Sequence, residues 1–222
     1  MKAKFLIVAS ILTLACANAS PVLNTGTPGN AYASPPTGPS PKFGTLYNFD
    51  ALTPFTTYNS YAASSSITIS SPDGLEVYPY STQSGPNELF DTSAAGSANI
   101  LIKTFGTEEI GIGIADSDIT AAGAPVTVYL QALNASGVGF GTLFAVTLPV
   151  DGSNPGNGYF TLSNTSYDIY GLQITQPVGN ATLYSGLAID DLQVAPTPEP
   201  ASFALFGVSV LFAGVAWLRK RS

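Results

Sequence analysis

Two adjacent aspartates near the end of the chain, in Leu187-Ala188-Ile189-Asp190-Asp191-Leu192-Gln193-Val194, have the spacing that most directly implies chemistry. Leu187 and Ile189 share one parity of a strand while Leu192 and Val194 share the other, so a regular strand would split them between faces. A bulge at Asp190-Asp191 returns all four to one face. It also gathers carboxylates, and a bound cation relieves the repulsion between them. The alternative is a pair of solvated aspartates at a strand end. A second constellation lies in Leu75-Glu76-Val77-Tyr78-Pro79-Tyr80, where Glu76, Tyr78 and Tyr80 share one face of a strand. Phenol rings beside a carboxylate stack on sugar rings and bond their hydroxyls, with Tyr58 and Tyr61 as candidate neighbours. Tyrosines at the margin of an edge strand, which Pro79 suits, are the plainer reading. Glu108-Glu109 and Asp116-Ser117-Asp118 offer the carboxylate pairs of a glycoside hydrolase, though charged strand ends account for them better.

Composition removes other chemistries. The 222-residue chain has no histidine, which excludes a Ser-His-Asp triad, His-based zinc sites and the commonest general base near neutral pH. Its one cysteine, Cys16, lies near the N-terminus, and its one tryptophan, Trp217, near the C-terminus. Between Ser20 and Pro198 only Lys42 and Lys103 are basic against 13 acidic residues, a net charge of −11. That surface repels nucleic acid and anionic polymers and favours cations or neutral partners.

These side chains must be positioned by strands. Apolar residues alternate at Ile67 and Ile69, Leu75 and Val77, Ile110, Ile112 and Ile114, Val126, Val128 and Leu130, Phe144, Val146, Leu148 and Val150, and Leu172 and Ile174. Period two predicts strands, and no stretch between residues 43 and 195 carries a helical period. Turn clusters such as Ser71-Pro72-Asp73-Gly74 and the run from Asp151 to Gly158 separate them. The expectation is an all-β, two-sheet antiparallel sandwich of ten to twelve strands over residues 43–195.

The flanks address the protein. Lys2 and Lys4, the apolar stretch Phe5 to Ala15 and the small residues Ala17-Asn18-Ala19 form a secretory signal peptide, residues 1–19, cleaved after Ala19. Export through the Sec machinery is then expected, and the mature chain has no thiol to bridge. Residues 20–42, with six prolines and three glycines from Pro21 to Pro41, read as a linker. Residues 196–222 form a tail: Pro198-Glu199-Pro200-Ala201-Ser202, an uncharged run reaching Leu218, then Arg219-Lys220-Arg221. The 18 residues Ala201–Leu218 make a transmembrane helix of about 27 Å, and the basic stop holds the C-terminus in the cytoplasm. The prolines around Glu199 keep the backbone extended, open to a processing enzyme.

In motif, span and basic end this tail resembles the PEP-CTERM sorting signal of Gram-negative bacteria, with Pro198, Glu199, Pro200, Ala201 and Ser202 matching its usual start. The resemblance implies recognition by exosortase, an inner-membrane-anchored precursor, and a mature protein at the cell surface or outside it. Phe49-Asp50, Val126 to Leu133 with Asn134-Ala135-Ser136-Gly137, and Leu187 to Leu192 also resemble jelly-roll carbohydrate-binding modules. That resemblance implies a structural Ca²⁺ held by Asp50, Asp190 and Asp191. The function expected is a non-catalytic surface or matrix protein of exopolysaccharide-producing biofilms that binds polysaccharide. The alternative is a secreted carbohydrate-active hydrolase using paired carboxylates.

Overall fold

The computed structural model describes residues 20–25, 45–79, 87–92, 98–116, 126–148, 157–164, 168–176 and 187–195. The leader with Ala17 and Ala19, Tyr80, the sorting motif Pro198–Ser202 and the stop Arg219–Arg221 lie outside them. Twelve strands are present among the described residues: β1 (Val22–Thr25), β2 (Thr45–Tyr47), β3 (Thr57–Ser64), β4 (Ile67–Tyr78), β5 (Glu88–Asp91), β6 (Ala98–Thr107), β7 (Glu109–Asp116), β8 (Val126–Leu133), β9 (Phe144–Leu148), β10 (Asn157–Ser163), β11 (Ile169–Gln176) and β12 (Leu187–Val194). The described structure is an all-β antiparallel sandwich. Among the described residues no helix is long and apolar enough to cross a membrane.

Hydrogen bonding runs continuously in the order β1-β10-β7-β12-β5-β4-β6-β11-β8-β9, with β2 on β12 and β3 on β4. The strand that joins the two halves is β4. Its first part pairs with β6 at Thr68–Ser70 and its second with β5 at Leu75–Tyr78. Between them lies Ser71-Pro72-Asp73-Gly74, which the sequence marks as a turn. The chain bends there without reversing, because Gly74 at φ 95° supplies a kink that other residues rarely adopt. The Thr92 hydroxyl donates to the carbonyls of Asp73 (2.7 Å) and Gly74 (3.2 Å) and holds the kink.

The alternating residues fill one core. Ile67, Ile69, Leu75, Val77, Ile110, Ile112, Ile114, Val128, Leu130, Val146, Leu148, Leu172 and Ile174 are all buried in it. Ile112 is wholly inaccessible, and truncating such a side chain to alanine costs about 2–5 kcal/mol. One boundary is corrected. Val22–Thr25, within the expected linker, is an edge strand in register with β10 from Val22↔Ser163 to Thr25↔Phe160. Its Val-Leu-Asn-Thr sequence has the β-branched and apolar residues that the proline-rich remainder lacks.

Candidate functional site

The bulge expected near the two aspartates is present. Along β12, Asp190 is opposite Gly113 and Gln193 opposite Gly111, so β12 holds one residue more than β7 over that interval. Asp191 takes up the difference at φ 50°. Leu187, Ile189, Leu192 and Val194 all reach the core as a result. Asp190 Oδ1 accepts the Asp191 amide at 2.8 Å, which braces the bulge from within. Both aspartates are buried, so they are not a solvated strand end.

On the face away from the core, β7 presents Glu109 at its start and then only Gly111, Gly113 and Ala115. Tyr159 on β10 and Asp190 on β12 flank Gly113. With no side chain between, the Tyr159 hydroxyl reaches across β7 and donates to Gln193 Oε1 at 2.8 Å. Burial, then the Asp191 and Glu109 carboxylates, hold that hydroxyl above its ordinary pKa. On the other side of β12 the register Ala188↔Phe90 and Ile189↔Leu89 makes Glu88 the next partner, opposite Asp190. Burial and then the Asp190 charge push the Glu88 carboxyl up to about 8. Sequence reasoning missed Glu88, although a carboxylate between Asn87 and Leu89 at the start of an apolar strand is itself a signal.

Asp50 does not join the aspartate pair in a metal-binding group. Among the described residues no three or more Asp, Glu, His or Cys side chains are arranged to hold a metal ion. Asp50 follows β2, where Oδ2 accepts from Asn48 Nδ2 (3.1 Å) and its carbonyl from Asn87 Nδ2 (2.8 Å). Asn87 Nδ2 also donates to the Leu52 carbonyl at 3.0 Å, tying this loop to the start of β5. The carboxylates brought into register are Glu88 and Asp190.

Glu76 and Tyr78 lie on the half-buried outer face of β4, in register with Phe90 and Glu88 respectively. The Tyr78 ring packs on Phe90, centroids 5.6 Å apart and tilted by 31°. Tyr58 and Tyr61 make an edge contact at 5.4 Å, and Tyr61 meets the core at Phe49. Glu108 joins β6 to β7, and Glu109 opens β7. Their carbonyls accept from the amides of Asn164 (2.7 Å) and Ala195 (2.9 Å), a structural use of the turn.

The described cavity with polar and aromatic walls is elsewhere. It holds about 420 Å³ and is lined by Ser20, Asn134, Ala135, Phe140, Gly141, Asp168 and Tyr170. One wall is rigid. Asn134 Oδ1 accepts the amides of Ser136 (2.9 Å) and Val138 (3.1 Å), an Asx turn closed by Gly137 at φ 74°. The chain then folds back along β8, where Gln131 Nε2 donates to the Phe140 carbonyl at 2.7 Å and the Phe140 amide to the Ala132 carbonyl at 3.0 Å. The opposite wall is the start of β11. A register break between Ile169 and Gly171 against β6 leaves Tyr170 exposed at 40%. The Asn134-Ala135-Ser136-Gly137 turn is visible in sequence. Its meeting with Asp168 and Tyr170 is set by the β8–β11 pairing from Leu133↔Gly171, which no local pattern reveals.

Beyond the last described strand, residues 196–221 match the family model for the PEP-CTERM protein-sorting motif. The chain carries a PEP-CTERM sorting signal. PEP-CTERM recognition makes it an exported protein whose precursor is membrane-anchored, with exosortase as processing partner. Curated proteins yield no sequence match. Solved structures with a similar arrangement include a xylan-binding domain from CBM 22, at 14% identity over 72% of this chain and 99% of that one, with a TM-score of 0.42. The K1 cleaved adhesin domain of Lys-gingipain from Porphyromonas gingivalis W83 is 10% identical over 70% of this chain and all of that one, with a TM-score of 0.41. The CBM22-1–GH10 modules of Clostridium thermocellum xylanase 10B, complexed with xylohexaose, are 6% identical over 69% of this chain, with a TM-score of 0.39. This chain spans only 28% of that two-module structure.

Proposed function

We propose that this PEP-CTERM protein is a non-catalytic surface or matrix protein that binds a neutral polysaccharide in the cavity between the Asn134 turn and the start of β11. The observation that carries the reading is the cavity lining: the rings of Phe140 and Tyr170 beside the Asp168 carboxylate. Aromatic rings supply apolar platforms for the C–H faces of sugars, and the carboxylate and the Asn134 amide bond hydroxyls. The pre-folded wall lowers the ordering cost of binding. The net charge of −11 between Ser20 and Pro198 disfavours uronate or sulfated polymers.

Hydrolysis needs two carboxylates facing one glycosidic bond. Among the described lining residues only Asp168 has one, which supports binding over cleavage. The protein purified after export should bind neutral glucans or xylans and ignore anionic polymers in affinity electrophoresis. The same preparation should release no reducing ends. Preference for an anionic polymer would overturn the charge argument, and released reducing ends the non-catalytic one.

A further inference from the structure

We infer that removal of the leader completes the cavity: cleavage after Ala19 makes Ser20 the N-terminus, and its new α-ammonium pairs with Asp168. The proposal is independent of what the cavity binds. Ser20 and Asp168 line the same cavity. The two residues after Ser20 hold it in place. Pro21 is buried and seated against Gly141, where a Cβ would run into the proline ring. Val22 then enters the ladder of β10 opposite Ser163. Gly141, at φ 69°, is itself a lining residue, so the first residues of the mature chain and the cavity wall are one packed unit.

Cleavage changes the charge at this spot. In the precursor the Ser20 nitrogen is a neutral amide. In the mature chain it is an ammonium, with an ordinary pKa of about 7.7–8.0. Asp168 and Tyr170 are the titratable side chains among the described lining residues, which include no lysine or arginine. Ser20 is exposed and Asp168 half-buried, so the pair forms at the cavity rim, partly shielded from solvent on the Asp168 side.

N-terminal serine gives a selective probe, because periodate oxidises a 1,2-amino alcohol and cleaves its Cα–Cβ bond only where the amine is free. Full-length protein purified after export should carry Ser20 as its first residue. Periodate should modify it at least tenfold more slowly in the folded than in the denatured state. Asp168→Asn should remove most of that protection, and Asp168→Glu, which keeps the charge, should retain it. Polysaccharide affinity, measured separately, reports on the functional reading alone. A mature chain that begins elsewhere would overturn the inference. So would equal oxidation rates in both states, or identical behaviour of the Asn and Glu variants.

Discussion

Glu88 and Asp190 face each other across β5 and β12, and both are buried. Glu88 is the protonated partner, with its carboxyl raised from 4.5 to about 8 by burial and by Asp190. A raised carboxyl pKa means that the folded state binds the proton more tightly than the unfolded chain. The stabilisation is full below pH 4.5 and is lost as pH rises toward 8. Melting temperature should therefore fall across that window. Glu88→Gln should flatten the fall and leave the variant the more stable form at pH 8, by about 1–3 kcal/mol. A profile unchanged by the substitution would place the titrating group elsewhere.

If calcium binds here, it should compete with the proton for this pair. At pH 9 Glu88 is ionised and repels Asp190, so millimolar calcium should recover part of the lost melting temperature relative to chelator. At pH 6, where Glu88 keeps its proton, calcium should have little effect, and Glu88→Gln should abolish the response at both pH values. A calcium response as large at pH 6 as at pH 9, and lost in Asp50→Asn, would restore the three-aspartate site.

The bulge makes a sharper demand on Asp191. At φ 50° it occupies the left-handed region, which aspartate tolerates and β-branched residues do not. Asp191→Gly should be close to neutral, whereas Asp191→Val should destabilise by about 2 kcal/mol. Deleting Asp191 should be tolerated by the core, because Leu187, Ile189, Leu192 and Val194 then share one face of a regular strand, whereas inserting an alanine after Asp191 should be strongly destabilising because it moves Leu192 and Val194 to the other face. Chemical denaturation of the set measures all four.

What the sequence discloses is what local periodicity controls. Alternation at Ile110, Ile112 and Ile114 announces a strand, and the parity slip between Ile189 and Leu192 announces the bulge. The partners across strands are not legible, since Glu88 meets Asp190 and Tyr159 meets Gln193 only through the β5–β12–β7–β10 order. The same holds for the cavity, where Ser20, Phe140 and Tyr170 come from three distant stretches. Ser71–Gly74 misleads for a related reason, because a strand crossing between layers needs turn-type residues without turning back.

The sorting tail predicts a processing event. Replacing Pro198, Glu199 and Pro200 by alanine should leave the Ala201–Leu218 span insertable and block maturation. Intact-mass spectra of the purified protein should then show the full tail, where the unaltered chain has lost it. Equal masses, with no dependence on exosortase, would reduce the tail to a plain anchor.

The most direct test of the account is calorimetric titration of the exported protein with the neutral oligosaccharide its panel selects. Stacking on an aromatic ring contributes about 0.5–1.5 kcal/mol, so Tyr170→Ala should weaken binding by roughly two- to twelvefold. Asp168→Asn should weaken it as well, while Tyr78→Ala, whose ring is already packed on Phe90, should leave it unchanged. Undiminished affinity in Tyr170→Ala and Asp168→Asn, with loss in Tyr78→Ala, would contradict the cavity assignment and move the binding face to β4.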